Sequence, residues 1–141
     1  MIPTSGTKCP LDTNVLVAYL NAGSPKHDSA RLLFKRISDG DLKGYISSQN
    51  VLELSSVLQN TYHVSGESIS KDINKIVSEL TVIYPDPETI NIFSGFVKSK
   101  KMHVMDLFLL ATTKAHKIDY LVSEDKHFKD IKEIRVYNPF I

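Results

Sequence analysis

The chain has 141 residues, 42% of them hydrophobic, which fits one soluble domain, residues 1–141, with its own core. Its 17 basic and 16 acidic residues leave a net charge of +1, a total that neither indicates nor excludes a nucleic-acid partner. No apolar run approaches the roughly 20 residues needed to span a bilayer, and no apolar signal segment precedes Pro10. A cytoplasmic protein with no membrane contact is expected. Cys9 is the sole cysteine; it excludes an internal disulfide, lacks zinc-ligand neighbours, and is expected in the core.

A short strand is predicted over residues 8–11, running into Asp12-Thr13-Asn14, and residues 15–20 read as a helix capped by an Asp or Asn side chain. Ser24-Pro25 is expected to open a second helix, with Ala30, Leu33, Phe34 and Ile37 on its apolar side and Gly40 just past its end. Tyr45-Ile46 is a brief strand. Ser47-Ser48 then caps a helix with Val51, Leu54 and Leu58 at helical spacing, and Glu53 rides on it. Residues 65–80 repeat that spacing, and Val82-Ile83-Tyr84 follows as a strand stopped by Pro85. A helix over about 87–101, an apolar helix over 104–116 containing Asp106, a strand at 120–122 and a last strand at 134–137 complete the chain. Strands separated by helices argue for an α/β layered fold with a mainly parallel sheet. Ligand sites of such sheets lie beyond the carboxyl ends of the strands, where Asp12 and Asp125 are expected.

Four acids stand in apolar surroundings: Leu11-Asp12, Leu52-Glu53-Leu54, Met105-Asp106-Leu107 and Val122-Ser123-Glu124-Asp125. An ionised carboxylate is rarely buried without a cation or a metal. Each acid also has a plain structural explanation: Asp12 and Asp106 as helix N-caps, Asp125 in a turn, Glu53 on a solvated helix edge. Spacing alone leaves their convergence open.

The string Leu11-Asp12-Thr13-Asn14-Val15-Leu16 resembles the opening motif of PIN-domain nucleases, in particular VapC-type toxins. Asn50-Val51-Leu52-Glu53-Leu54 is similar to the segment carrying that family's helical glutamate, and 106–112 to its third acidic motif. The segment 120–128 resembles its strand, hydroxyl residue, acid and phenylalanine, and Val136-Tyr137-Asn138-Pro139 its usual ending. The resemblance spans almost the whole chain. It implies a PIN-like three-layer α/β/α fold and a metal-dependent endoribonuclease acting on single-stranded RNA. Asp12, Glu53, Asp106 and Asp125 would be its catalytic ligands for Mg²⁺ or Mn²⁺, with Asn14 and Ser123 in support. Kinship further implies a toxin paired with an antitoxin protein, and a homodimer.

Three departures accompany the match: Pro10 interrupts the first strand, Leu107 replaces a small residue, and Glu124 stands where a basic or small one is frequent. Glu124 is expected to point to solvent, because Val122 and Asp125 claim the inward directions. The basic groups Lys98, Lys100, Lys101 and Arg31, Lys35, Arg36 read as solvated helix surface. His27, His103, His116 and His127 lack metal-ligand spacing relative to one another and receive no role. Competing readings are an RNA-processing nuclease outside a toxin–antitoxin pair and a catalytically idle RNA- or partner-binding module. A receiver-type phosphoacceptor domain would need paired acids near the start and a central acid ending a strand, whereas Glu53 falls on a helix.

Overall fold

Helices alternate with short parallel strands through residues 2–141, the part of the computed structural model described. In chain order these are β1 (Lys8–Pro10), α1 (Thr13–Leu20), α2 (His27–Ser38), β2 (Lys43–Ser47), α3 (Ser48–Asn60), α4 (Gly66–Glu79), β3 (Thr81–Ile83), α5 (Pro87–Ser99), α6 (Val104–Ala115), β4 (Tyr120–Val122) and β5 (Arg135–Tyr137). A turn of 3-10 helix, Lys126–Phe128, lies between β4 and β5.

β1 pairs with β2, β2 with β3 and β4 with β5, all parallel. A single parallel bridge, Leu11 to Val122, joins the two groups and gives the order β3-β2-β1-β4-β5. Pro10 explains why that join is so short. Donor directions alternate along β1: the Leu11 N–H goes to the Tyr45 carbonyl at 2.9 Å and the Asp12 N–H to the Val122 carbonyl at 2.9 Å. Position 10 therefore faces β4, and proline has no N–H to give. The strand reaches β4 only past the proline, next to Asp12.

The three layers follow from the side chains. Helices α1 to α4 pack Val15, Leu16, Leu33, Phe34, Leu54 and Ile76 with Cys9, Leu11, Ile46, Tyr120 and Val122 of the sheet. Helix α6 and the C-terminal segment pack Leu109, Leu110, Phe128 and Ile134 around Leu121, with Phe96 of α5 beside them. Tyr120 and Val122 thus enter one cluster and Leu121 the other, the period-two alternation of a strand buried on both faces. Full burial of side chains such as Leu16 contributes about 1.5–3 kcal/mol each. Among the described residues no helix is long and apolar enough to cross a membrane.

Element ends differ from the sequence reading where side chains cap the backbone. Ser24 does not open α2: its hydroxyl accepts from the Lys26 N–H and its carbonyl from the His27 N–H, both at 3.1 Å, making a turn before the helix. His103, not Asp106, caps α6, its Nδ1 accepting from the Met105 N–H at 3.2 Å. Asp106 thereby falls in the first turn, where the helix dipole favours a carboxylate. β3 begins one residue early, at Thr81, and leaves Tyr84 exposed.

Candidate active site

The strand order reverses between β1 and β4, and open parallel sheets gather ligands outside the carboxyl ends of the strands at such a point. Asp12 leaves β1 there and Ser123 leaves β4. Asp12 caps α1: its Oδ1 accepts from the Thr13 N–H at 2.8 Å and from Asn50 Nδ2 at 3.2 Å. Its Oδ2 accepts from the Ser123 hydroxyl at 2.8 Å. Only 8% of the residue is exposed, so these donors replace most of its water.

Ser47, the last residue of β2, caps α3 and sets up the second wall. Its hydroxyl accepts from the Asn50 N–H at 3.1 Å and donates to Asn50 Oδ1 at 2.7 Å. Asn50, fully buried, also donates to the Thr13 hydroxyl at 2.9 Å. That hydroxyl donates to Glu53 Oε2 at 3.2 Å, so one chain of bonds runs from Ser47 to Glu53 through Asn50 and Thr13. Gln49 Nε2 donates to Glu53 Oε1 at 2.9 Å and to the Met105 carbonyl at 2.7 Å, tying α3 to the start of α6. Gln49 Oε1 is buried beside these groups with no partner among the described residues.

Asp125 follows β4 in a turn. Its N–H donates to the Ser123 hydroxyl at 3.0 Å, and its Oδ1 accepts from the His127 N–H at 2.9 Å. Asn14 Nδ2 donates to the same Ser123 hydroxyl at 3.2 Å. That oxygen therefore accepts twice and donates once, its full capacity. The carboxylates of Asp106 and Asp125 and the His127 ring offer one ligand atom each within 4.8 Å of one another. Asp12 and Glu53 stand outside this tightest group. All four acids nonetheless line one open cleft of about 610 Å³, together with Thr13, Asn14, Lys26 and Glu124.

Glu124 corrects the sequence reading. It lines the cleft instead of facing only solvent: Asn14 Oδ1 accepts from its N–H at 3.3 Å, and its carboxylate meets Lys26 Nζ at 2.5 Å. The charge on Glu124 is thus partly answered within the protein, whereas among the described residues no basic side chain bonds the other acids except the exposed His127 ring, 2.9 Å from Asp125.

Burial raises the Asp12 carboxyl above the usual carboxylate range, and the charges of Glu53 and Asp106 add to it, against the lowering hydrogen bonds from Ser123 and Thr13. Asp106 is raised by burial first and by the Asp125 charge next, with Glu53 adding and His103 and His127 opposing. Hard carboxylate oxygens from four acids in one cleft, two of them (Asp12 and Asp106) disfavoured as anions by burial first and neighbouring acids next, with an unpartnered amide oxygen alongside, fit a divalent cation of the Mg²⁺ type.

The model of the PIN domain family matches residues 10–134. The chain belongs to the PIN domain family. Its fold is also that of solved VapC-containing structures. It is similar to VapBC2 from Rickettsia felis bound to a DNA fragment from its promoter, with TM-score 0.75, 19% identity and coverage of 94% of this chain and 98% of that one. DNA-bound VapBC from Salmonella typhimurium gives TM-score 0.74, 18% identity and coverage of 94% and 98%. VapC20 from Mycobacterium tuberculosis, a Sarcin-Ricin loop cleaving toxin, gives TM-score 0.69, 14% identity and coverage of 90% and 98%. A search of curated proteins gives no match.

In this PIN domain the acids singled out from the sequence all line the cleft, with Ser123 hydrogen-bonded to Asp12 and Asn14 to Ser123. The sequence reading missed Thr13, Gln49, Asn50, Lys26 and His127. Asn50 left a trace: a polar residue three before Glu53 and three after the cap Ser47 lies on the inward side of an apolar helix. His127 left none, because its place beside Asp125 comes from the turn that follows β4.

Proposed function

We propose that this PIN domain is a divalent-metal-dependent endoribonuclease that hydrolyses phosphodiester bonds of single-stranded RNA. The observation that carries the reading is the convergence of Asp12, Glu53, Asp106 and Asp125 on one cleft at the switch point of the sheet. Those four residues would hold Mg²⁺ or Mn²⁺. A divalent ion in such a site supplies Lewis-acid polarisation of a phosphoryl oxygen and a water of lowered pKa.

The chain's own groups orient and exclude. Ser123, Asn50 and the Thr13 N–H hold the Asp12 carboxylate in one rotamer, and Thr13 and Gln49 do the same for Glu53. Fixed ligand oxygens cost less to organise when the phosphate arrives. Lys26, which lines the cleft paired with Glu124, would meet a neighbouring phosphate by giving up part of that ion pair.

The toxin reading rests on the VapBC complexes and the toxin among the similar structures. By that reading the chain pairs with an antitoxin protein and forms a homodimer; size-exclusion chromatography with light scattering tests the second point. The deciding experiment incubates the protein with mixed-sequence single-stranded RNA in Mg²⁺, Mn²⁺ or EDTA, beside Asp106→Asn. Cleavage by wild type with metal alone supports the proposal; cleavage in EDTA, or equal cleavage by the variant, overturns it. Metal-independent RNA binding without cleavage would favour an idle binding module.

A further inference from the structure

A second, smaller pocket of about 270 Å³ opens beside the acidic cleft and shares Val17, Asn21 and Tyr62 with it. Its other walls include Leu20, Leu58 and Val64, with Asp72 as its charged group. The volume lies below the roughly 300–1,000 Å³ of sites for drug-sized ligands. Apolar walls, one carboxylate and one carboxamide, with no basic residue among them, do not suit a phosphate. They suit a flat, uncharged ring with N–H groups on its edge.

Tyr62, with Val17 and Asn21, lies on the partition shared by the two spaces. The backbone that carries Tyr62 is a hydrogen-bonded turn after α3: the N–H groups of Thr61 and Tyr62 reach the Val57 carbonyl at 2.9 and 3.3 Å, and the Val64 N–H reaches the Leu58 carbonyl at 2.9 Å. His63, at φ 55°, reverses the chain there. An aromatic ring 47% exposed on a fixed turn, between an acid cleft and an apolar slot, is a preformed stacking surface.

We propose that Tyr62 and this pocket bind one nucleobase of the RNA next to the phosphate held at the acids, with stacking on Tyr62 and Asp72 accepting from a base N–H. The assignment rests on the nuclease reading above. It favours RNA over a peptide because the pocket is continuous with the cleft where the phosphodiester must lie. It makes Tyr62 a positioning residue for substrate, distinct from the carboxylates.

The chain contains no tryptophan, so Tyr62→Trp in the Asp106→Asn background places a single fluorescent reporter at the partition. A single-stranded RNA hexamer should quench it saturably, and a hexamer of the same phosphate count carrying abasic positions should not. In the Asp106→Asn protein, Tyr62→Ala should weaken hexamer binding about 5- to 150-fold, the range that base–aromatic stacking covers, while Tyr62→Phe keeps it. Melting temperatures of the variants confirm folding. Equal affinity for the abasic hexamer, or undiminished binding by a folded Tyr62→Ala protein, overturns the proposal while wild-type cleavage leaves the nuclease reading standing. Quenching by an amphipathic peptide and not by RNA overturns it in favour of a protein partner. Loss of cleavage by wild type itself would strike the underlying reading instead.

Discussion

The Ser123 hydroxyl donates to Asp12 Oδ2 at 2.8 Å, directly across the join of β1 and β4. It also accepts from Asn14 Nδ2 and the Asp125 N–H, so one oxygen ties α1, β4 and the turn carrying Asp125 to the first acid. Ser123→Ala should cost about 1–3 kcal/mol of stability, the usual penalty for leaving buried polar groups unpaired. Loss of a group that orients a metal ligand typically weakens metal affinity about 10- to 100-fold. Isothermal titration with Mn²⁺ and thermal melts check both, and Ser123→Thr should restore most of the affinity. Unchanged Mn²⁺ affinity in Ser123→Ala would remove Ser123 from the site.

Asn50 makes the same argument inside the protein. Its Nδ2 serves Asp12 and Thr13 at once, and its Oδ1 accepts from Ser47. Asn50→Leu fills the space but leaves those groups without their partner in a fully buried place, so a loss of about 2–4 kcal/mol is expected. Asn50→Asp should be worse still in the absence of metal, since it sets a fresh negative charge against Asp12. Urea denaturation in EDTA measures the series; a tolerated Asn50→Asp would contradict the crowding of negative charge around Asp12.

Much of this was legible because it obeys local rules. Helical spacing located α3 and α4, with Ser47 read as the cap of α3, and the short β-rich runs located the strands to within a residue or two. The four acids stood out because carboxylates in apolar runs are unusual. Three things were not legible. Gathering of the acids depends on strand order, which no local pattern encodes. Capping of α6 by His103 looks in sequence like a cap by Asp106. Glu124 meets Lys26 across 98 residues of chain, and nothing near either residue announces the pair.

Cys9 offers a probe of the whole fold. It is fully buried, and burial pushes its thiol up to about 12, with Arg36 pulling weakly the other way. Both access and thiolate fraction therefore protect it at neutral pH. Ellman's reagent at pH 8 should label the native protein only as fast as it unfolds and label it at once in guanidinium. Fast native labelling would mean that β1 opens locally, next to Pro10.

Asp106 ties stability to pH and to metal. Its carboxyl and that of Asp12 are raised in the folded protein by burial and by neighbouring acids. A group so shifted binds its proton more tightly when folded, so its contribution is present at low pH and lost as pH rises through the raised folded value. Above that point the ionised acids destabilise the metal-free fold. Asp86 and Glu133 act in the opposite sense, because a backbone N–H of Thr89 and the Lys100 ammonium hold them low and their contribution is lost on acidification. Asp106→Asn should therefore melt above wild type in EDTA at pH 8, by under about 1 kcal/mol once solvent screening of a partly exposed group is allowed for, and the gap should narrow toward pH 5. Saturating Mg²⁺ should reverse the ranking, since binding at 100 times Kd stabilises wild type by about 2.7 kcal/mol and the variant has lost a ligand. Differential scanning fluorimetry across pH, with and without Mg²⁺, reads all three effects. A variant that melts below wild type in EDTA at pH 8 would show that the acids are not strained against one another, and the electrostatic case for a cation in the cleft would fall with it.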